Sequence, residues 1–248
     1  MNPVIVIPSR LASTRLPGKP LADIHGKPMI VHVMERAQEA TIGPVAVACA
    51  DPEIAEAVRA AGGRAVMTNP DLATGSDRVY AALAEIDPDG RHDVVVNVQG
   101  DFPTVTAAQL RAVVLPLVDQ EVDIGTLVTP IASDEEAHTA SFVKAACAFD
   151  EGQVVAPALY FSREAIPWGE GPRWHHIGIY AYRRQALARF VLLPSAPLER
   201  RESLEQLRAL EAGMRIACAR VDYGPFGVDT PADLERARRV LDPKRKAG

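Results

Sequence analysis

The chain has 248 residues, 48% of them hydrophobic and 24% charged, and a formal net charge of −5 at pH 7, values that are ordinary for a globular protein. The negative charge argues against broad nucleic-acid binding, which needs a basic surface, and no apolar run is long enough to cross a bilayer. Its three isolated cysteines lack metal-ligand spacing and fit a reducing compartment. We therefore expect a soluble cytoplasmic protein without nucleic-acid or membrane partners.

Strand and helix patterns alternate through the first half of the chain. Apolar, β-branched runs predict four strands, and apolar residues at helical spacing predict four helices between and after them. The strands are Val4–Ile7, Val45–Ala50, Ala65–Thr68 and Val94–Val98, and the helices are Met29–Ala40, Pro52–Ala61, Asp77–Ile86 and Ala107–Leu117. This alternation predicts an α/β fold with a mainly parallel sheet.

The pattern changes to strand-like runs from about residue 124. The predicted strands of this part are Ile124–Val128, Lys144–Phe149, Ala158–Phe161 and Ile177–Tyr182. Because no Ser/Gly-rich linker marks a boundary, we interpret residues 124–195 as a strand-rich lobe inserted into a single domain that spans 1–248.

Helical spacing returns near the end of the chain. Leucines at 204, 207 and 210 form one apolar stripe, and Glu202 and Gln206 are predicted to form an i,i+4 pair beside it. Thr230 followed by Pro231, with Asp233 two residues later, predicts the capped start of a last helix.

The basic segment Pro8–Pro20 directly follows the first predicted strand. It carries Arg10, Arg15 and Lys19; two prolines restrict the backbone around Lys19, and Gly18 is expected to let that backbone approach a ligand closely. Ligands of open α/β sheets bind at the carboxyl ends of the strands, and three cations on a restrained loop suit a polyphosphate. A merely solvated basic loop is the alternative, which the position after the first strand disfavours.

Two carboxylates stand where they could hold a divalent metal. Asp101 ends the apolar strand at Gln99-Gly100, and Asp229 precedes the last helix. Mg²⁺ is typically held by one or two carboxylates together with substrate phosphates. Both residues also have ordinary explanations, because Asp101 suits a turn before Pro103 and an acid before a helix is favourable by itself.

Two further polar groups are candidate binding sites. Thr74, Gly75 and Ser76 open a helix, where hydroxyls and N–H groups can bind an anion or a base edge, although plain capping explains Ser76 about as well. A second group suits a sugar acid, with cations for the carboxylate and polar groups for the hydroxyls, although any single member is more often structural. Its members are Arg163, Trp168, His175, His176, Tyr180, Glu205 and Gln206.

Taken together, these residues resemble the 3-deoxy-manno-octulosonate cytidylyltransferase family over nearly the whole chain. Seven motifs in family order carry the resemblance. They are Ser13-Thr14-Arg15-Leu16-Pro17-Gly18-Lys19-Pro20-Leu21, Gly26-Lys27-Pro28-Met29-Ile30, Asn97-Val98-Gln99-Gly100-Asp101, Leu159-Tyr160-Phe161-Ser162-Arg163, His176-Ile177-Gly178-Ile179-Tyr180, Ser203-Leu204-Glu205-Gln206-Leu207-Arg208 and Val228-Asp229-Thr230-Pro231.

The resemblance implies a Rossmann-like nucleotidyltransferase core, usually a homodimer, that uses Mg²⁺. The implied reaction joins CTP to the sugar acid 3-deoxy-manno-octulosonate (Kdo), giving CMP-Kdo and pyrophosphate for lipopolysaccharide synthesis. The implied triphosphate contacts are Arg10, Arg15 and Lys19, the cytosine contacts are Thr74, Gly75 and Ser76, and the metal ligands are Asp101 and Asp229. The implied sugar-acid contacts are Gln99, Arg163, His176, Tyr180, Glu205 and Gln206.

Two positions depart from the family's common pattern. Phe102 stands where the family often has Glu, and Leu72 stands where it often has His. The metal ligand Asp101 is kept, so these changes bear on sugar specificity, and the 8-amino form of Kdo or a sialic acid is an alternative acceptor. A catalytically silent nucleotide-binding paralogue is the alternative of another class, which the joint presence of Lys19, Asp101 and Asp229 disfavours.

Overall fold

The computed structural model describes residues 1–13 and 15–243, so Thr14 of the first motif lies outside the described residues. The chain forms two compact units. The first comprises Met1–Leu110 and the chain from Pro225 onward, and the second comprises Arg111–Gly224. No helix within the described ranges is both long and apolar enough to span a membrane.

The first unit contains a parallel sheet. Its strands are β1 (Pro3–Ser9), β4 (Val45–Cys49), β5 (Arg64–Met67) and β6 (Val94–Asn97), in the order β5-β4-β1-β6, and a small separate hairpin joins β2 (Asp23–Ile24) to β3 (Lys27–Pro28). The helices are α1 (Met29–Glu39), α2 (Pro52–Ala60), α3 (Gly75–Ile86), α4 (Ala107–Ala112) and α9 (Pro231–Val240). The predicted mainly parallel α/β fold is confirmed.

Burial explains why these segments fold as they do. Every residue of β1 is buried, as expected for a strand covered on both faces. In α1, Ile30, Val33, Met34 and Ala37 recur at helical spacing and are all buried, so this apolar stripe is part of the core.

The second unit is richer in antiparallel strands. They are β7 (Ile124–Pro130), β8 (Lys144–Ala146), β9 (Val155–Pro157), β10 (Tyr160–Ser162), β11 (Trp174–Arg183) and β12 (Ile216–Arg220). β7 pairs with β11 antiparallel and with β12 parallel, β9 pairs with β12, and β8 pairs with both β10 and β11. Its helices are α5 (Asp134–His138), α6 (Arg184–Leu192), α7 (Pro197–Glu202) and α8 (Leu207–Glu211). This unit contains the predicted lobe, while the single-domain interpretation stays a prediction.

Several predicted boundaries are wrong for local reasons. The helix predicted over 107–117 ends at Ala112, because Pro116 cannot donate an interior helix bond and lies in a separate 3₁₀ turn, Leu115–Val118. The strand predicted over 158–161 begins only at Tyr160, as β10, and the strand β9 that precedes it at Val155–Pro157 was not predicted. The strand predicted over 144–149 ends at Ala146.

The predicted Glu202–Gln206 pair is also wrong. Ser203 has a φ of 54°, a left-handed conformation that ends α7 between the two residues. The Glu202 carboxylate instead accepts hydrogen bonds from Ser162 Oγ at 2.8 Å and from the Arg163 backbone N–H at 3.0 Å. The predicted cap of the last helix is confirmed, because Thr230 Oγ1 accepts from the Asp233 N–H while the Asp233 carboxylate accepts from the Thr230 N–H.

Candidate active site

A cavity of about 770 Å³ lies in the first unit, where β1 and β6 end. Three predicted cations and one predicted metal ligand line it, which is the edge of the sheet where ligands of α/β folds bind. The lining residues are Pro8, Ser9, Arg10, Ala12, Ser13, Arg15, Lys19, Pro20, Leu72, Ala73, Thr74, Gly75, Arg78, Gln99, Gly100 and Asp101.

Glycine has two different roles around this cavity. A Cβ on Gly100 would lie 3.0 Å from the Pro8 carbonyl oxygen, so glycine lets the ends of β1 and β6 approach closely. At Gly18 no described protein atom would lie within 4 Å of a Cβ, and the close approach of this backbone to a ligand stays a prediction. Gly18 instead adopts a left-handed conformation, with a φ of 66°, that begins the 3₁₀ turn Lys19–Leu21.

Lys19 joins the basic loop to both predicted metal ligands. Its Nζ lies 2.8 Å from Asp101 Oδ2 and 3.0 Å from Asp229 Oδ1, and Arg15 Nη2 lies 3.0 Å from Asp229 Oδ2. Burial alone would lower the pKa of Lys19, but the two carboxylates outweigh it and raise that pKa above its ordinary value. Lys19 is therefore an ammonium held between two carboxylates at neutral pH.

An apolar cluster holds these charges in place. Ile24, Met29, Val228, Leu234 and Ala237 form its buried centre, and the side chain of Leu16 packs against it. Leu16 lies between Arg15 and Lys19 in the chain, and Val228 immediately precedes Asp229. In addition, the Val228 N–H donates to the Asp101 carbonyl at 3.0 Å. Packing of neighbouring apolar residues thus fixes the backbone on both sides of the ion pairs.

The carboxylates of Asp101 and Asp229 both bind the Lys19 ammonium, and this arrangement bears on whether they could hold a metal ion. Two carboxylates aimed at a single positive charge form a donor set that fits a hard divalent cation completed by substrate oxygens and water. Across the described parts of the chain, no group of three or more His, Cys, Asp or Glu side chains could hold a metal alone. The residues present therefore fit a metal that binds together with a phosphate ligand.

The Thr74 turn forms another part of the cavity lining. Thr74 is the N-cap of α3: its Oγ1 accepts from the Asp77 N–H, and the Asp77 carboxylate accepts from the Thr74 N–H, both at 3.1 Å. α3 accordingly begins at Gly75, earlier than predicted. Ser76 is buried in the first turn and does not line the cavity. Its assignment to the nucleotide stays a prediction.

Two site residues were missed by the sequence analysis. Arg78 lines the cavity although it is only 2% exposed, and its guanidinium donates to Thr68 Oγ1 and to the carbonyls of Asn69 and Pro70. Burial lowers the pKa of Arg78, and the charge of Arg10 adds to this effect. The second is Asp51, which accepts a hydrogen bond from the Leu11 N–H. Arg78 could have been found from its position one turn after the Thr74 cap. No sequence pattern pointed to Asp51.

Five of the six predicted sugar contacts lie in the second unit, and Arg163 is the most engaged of them. Its guanidinium donates to the carbonyls of Glu202 at 2.8 Å, Ala140 at 3.1 Å and Ser203 at 3.2 Å. These bonds hold the main chain just before Glu205 and Gln206. Arg163 therefore positions this segment. Contact between Arg163 and a sugar acid stays a prediction.

His176 and Tyr180 lie together on β11, with ring centroids 5.5 Å apart. Thr126 Oγ1 donates to the Ile179 carbonyl at 2.9 Å, so it accepts from His176 Nε2, 3.1 Å away, which places the histidine proton on Nε2. Burial lowers the pKa of His176 to about 3, and burial raises that of the Tyr180 phenol. Both side chains are neutral at physiological pH.

Gln206 carries an unsatisfied polar group. Its side chain is buried, and within residues 1–13 and 15–243 its Nε2 has no hydrogen-bond partner. A buried amide without partners destabilises the fold, so its retention is typical of a ligand-binding position. The sixth predicted contact, Gln99, lies in the first unit and lines the cavity beside Gly75.

Comparison with known proteins identifies the chain. Residues 4–216 match the cytidylyltransferase family model. The chain is 63% identical over 246 residues to the 3-deoxy-manno-octulosonate cytidylyltransferase of Rhodospirillum centenum, covering 99% of this chain and 96% of the relative. The corresponding enzyme of Paramagnetospirillum magneticum is 58% identical, with coverage of 97% and 98%. The chain belongs to the 3-deoxy-manno-octulosonate cytidylyltransferase family.

A solved structure extends this result to the fold. A CMP:2-keto-3-deoxy-manno-octonic acid synthetase complexed with CTP is 41% identical, with a TM-score of 0.88, over 98% of this chain and 100% of that one. The predicted nucleotidyltransferase fold and the family are therefore confirmed, and this cytidylyltransferase is an enzyme that transfers a nucleotidyl group.

The two departures from the common family pattern occupy different places in this cytidylyltransferase. Leu72 lines the cavity next to the Thr74 turn. Phe102 packs near Gly227, where a Cβ would lie 3.7 Å from its Cε1. Phe102 thus lies beside the segment that carries Asp229, the second predicted metal ligand.

Proposed function

We propose that this enzyme transfers CMP from CTP to the anomeric hydroxyl of Kdo and releases pyrophosphate, for lipopolysaccharide biosynthesis. The observation that carries the proposal is the convergence of Lys19, Asp101 and Asp229 at one edge of a cavity lined by three further cations, Arg10, Arg15 and Arg78. The resemblance of the chain to relatives named for this activity supports the same conclusion.

The nucleotide is assigned to the cavity of the first unit. Arg10 and Arg15 offer planar guanidinium groups for phosphate oxygens, and Lys19 offers a compact charge. At the Thr74 turn, Thr74, Gly75 and Ser76 are assigned to the cytosine. A Cβ at position 75 would lie 3.4 Å from the side-chain oxygen of Gln99, so the Thr74 turn and Gln99 are neighbours in the cavity lining.

Asp101 and Asp229 are the proposed ligands of Mg²⁺. Bound there, the ion would neutralise phosphate charge and lower the pKa of a coordinated hydroxyl. The metal would then take the place of the Lys19 ammonium on the two carboxylates. The ammonium would be free to contact phosphate oxygens.

The chemical step is an in-line displacement at the α-phosphorus of CTP. The anomeric oxygen of the sugar forms a bond to this phosphorus, the bond from the phosphorus to the bridging oxygen breaks, and that oxygen leaves with pyrophosphate. The hydroxyl proton passes to solvent. Lys19 and Arg10 offset the charge that grows on the leaving oxygens, so the protein contributes mainly positioning and charge stabilisation.

The sugar acid is assigned to the remaining polar groups. Arg163, His176, Tyr180, Glu205 and Gln206 of the second unit are proposed to bind it. Gln99, which lines the cavity of the first unit, stays a predicted sugar contact. Since burial lowers the pKa of His176 to about 3, this histidine is a weak base that would orient a hydroxyl rather than take its proton. The unsatisfied Gln206 amide is the observation in the second unit that most favours a polar ligand.

A pyrophosphate-release assay with CTP and Mg²⁺ tests the proposal against its rivals. Turnover with Kdo, and much less with 8-amino-Kdo or a sialic acid, is the expected result. Preference for either alternative acid would replace the proposed acceptor. CTP binding without turnover of any of the three would favour the silent paralogue.

A carboxylate substitution tests the metal assignment. Asp101→Asn should bring metal-dependent turnover to background while thermal unfolding stays cooperative, because an amide is a poor ligand for Mg²⁺. Asp134→Asn is the matched control, since Asp134 is 84% exposed and forms an ion pair with Arg173 at the surface. Near-normal turnover of the Asp101 variant would show that the metal assignment is wrong.

The assembly and the location are proposed from the family resemblance and the substrate. A homodimer would have twice the chain mass of 26.7 kDa, which light scattering measures directly. The use of CTP implies a cytoplasmic enzyme.

A further inference from the structure

Asp51 occupies a helix N-cap but does not use its side chain to cap the helix. It precedes Pro52 at the start of α2 and has the extended backbone typical of an N-cap, with φ −123° and ψ 138°. Aspartate is favoured there because its carboxylate normally accepts N–H groups of the first helical turn. Among the described residues, however, the Asp51 side chain makes no such cap hydrogen bond.

The carboxylate is directed at the basic loop instead. Asp51 Oδ2 accepts the Leu11 N–H at 2.8 Å, across 40 residues of sequence. The neighbouring backbone is already paired, because Ser9 lies opposite Cys49 in the β1–β4 register and the Ala50 N–H donates to the Ser9 carbonyl at 3.0 Å. The Leu11 bond therefore extends the strand pairing two residues further, past Arg10.

This arrangement fixes the backbone on both sides of Arg10. The Ser9 carbonyl and the Leu11 N–H are both held by the segment that follows β4, and the exposed Arg10 side chain lines the cavity between them. A charged hydrogen bond of a backbone N–H to a carboxylate is stronger than a neutral one. A loop held in this way keeps its cation in place before a ligand arrives, which reduces the cost of ordering it on binding.

We propose that Asp51 is a positioning residue that holds Arg10 in place for the triphosphate through the Leu11 backbone N–H. Asp51 itself touches neither substrate. This inference rests on the proposed function, since it assigns Arg10 to the phosphates of CTP.

Three variants separate this role from helix capping. Asp51→Ser keeps a residue that can cap α2 but shortens the side chain so that it no longer reaches Leu11. Asp51→Asn keeps an oxygen that can accept the Leu11 N–H. Asp123→Ser is the matched control, because Asp123 accepts the Arg215 N–H at the same 2.8 Å in the second unit.

Calorimetric titration with CTP, and with cytidine as a ligand without phosphates, gives the readout. We expect Asp51→Ser to weaken CTP binding about tenfold, as the loss of one charge-assisted bond would do. Cytidine binding should be unchanged, Asp51→Asn should regain most of the CTP affinity, and Asp123→Ser should bind CTP like the wild type. Equal losses for CTP and cytidine would assign Asp51 to general stability and overturn the inference.

A double-mutant cycle with Arg10→Ala makes the test specific. If Asp51 acts through Arg10, adding Asp51→Ser to Arg10→Ala causes no further loss of CTP affinity. Additive losses, or wild-type CTP affinity in Asp51→Ser, would overturn the inference. Should the wild-type enzyme bind no CTP at all, the proposed function fails first, which distinguishes the two failures. Should Asp51→Ser not fold, Asp51→Thr takes its place in the same cycle, since threonine also caps helices and is also too short to reach Leu11. A loss of CTP affinity that disappears in the Arg10→Ala background supports the inference, and an additive loss or wild-type affinity overturns it.

Discussion

Replacement of Lys19 by methionine removes the ammonium that Asp101 and Asp229 share while keeping a side chain of similar length. In the wild type, Lys19 is 15% exposed and Asp101 is 27% exposed, so their pair is largely shielded from water. Because the pKa of Lys19 is raised above its ordinary value of 10.5, this contribution is fully present at pH 7 and is lost only as the pH rises through the higher folded-state value.

The effect on stability can be worked out from the contacts. A hydrogen bond between charged groups contributes about 1.5–3 kcal/mol, and the Asp101 bond at 2.8 Å qualifies for this range. Asp229 is 43% exposed and keeps Arg15, so its bond to Lys19 adds little. We expect Lys19→Met to lose about 2 kcal/mol, which corresponds to about 4–8 °C in Tm for a chain of this size.

Metal affinity should change in the opposite direction. In the wild type without nucleotide, a divalent ion must displace the ammonium from the two carboxylates, whereas in Lys19→Met it meets them without a competitor. We expect Mn²⁺ to bind the variant about tenfold more tightly. This factor corresponds to about 1.4 kcal/mol of binding free energy that the ion no longer spends on displacing the ammonium. Paramagnetic resonance of Mn²⁺ titrated into each protein measures free and bound ion directly, without relying on turnover.

Lys27→Met is the matched control. Lys27 pairs with Glu35 at the surface, both side chains being about 40% exposed, so its loss should change the free energy of unfolding by about 0–1 kcal/mol and leave Mn²⁺ binding unaltered. The reasoning is refuted if Lys19→Met is as stable as the control variant and binds Mn²⁺ no more tightly than the wild type. Pyrophosphate release should be lost in Lys19→Met despite the tighter metal binding.

Two further predictions concern the second unit. Arg163→Lys should lower the free energy of unfolding by about 2 kcal/mol, because lysine cannot make the three guanidinium bonds to main-chain carbonyls; an unchanged urea midpoint would contradict this role. The pKa of His176 is about 3 in the folded state, below its value in the unfolded chain, so the folded state binds fewer protons. The free energy of unfolding should therefore fall as the pH drops below about 6.5, by about 1.4 kcal/mol per pH unit. His176→Gln should remove that part of the slope in urea unfolding between pH 7 and pH 4, and parallel slopes for the two proteins would show that His176 is not buried and neutral.

The proposed phosphate-binding part of the site could be predicted from the sequence because its residues are close together in the chain. Arg10, Arg15 and Lys19 lie within ten residues of one another, directly after an apolar strand, and the rule that ligands bind at strand ends places them together. Asp101 follows from the same rule applied to β6. Asp229 was a weaker inference, since an acid before a helix is common without any ligand.

The remaining part depended on contacts between distant segments. Glu202 was predicted to pair with Gln206 on one helix, yet a left-handed Ser203 separates them and the carboxylate binds Ser162, 40 residues away. Helical spacing carries no information about such a break. Asp51 was likewise indistinguishable from an ordinary helix cap, because only the folded chain brings it to Leu11.

The charges at the cavity edge connect metal binding to nucleotide binding. Arg10, Arg15, Lys19 and Arg78 line the cavity and Asp101 and Asp229 meet at its edge, so these cations exceed these carboxylates by two charges, although the whole chain is negative. A triphosphate carries several negative charges, and the cations that would meet it are partly engaged by these carboxylates. A divalent ion on the carboxylates would release Lys19 and Arg15 for the phosphates, so the metal and CTP should each strengthen the binding of the other, as reciprocal linkage requires. Chelation of the metal should therefore weaken CTP binding in the wild type, and it should do so far less in Asp101→Asn.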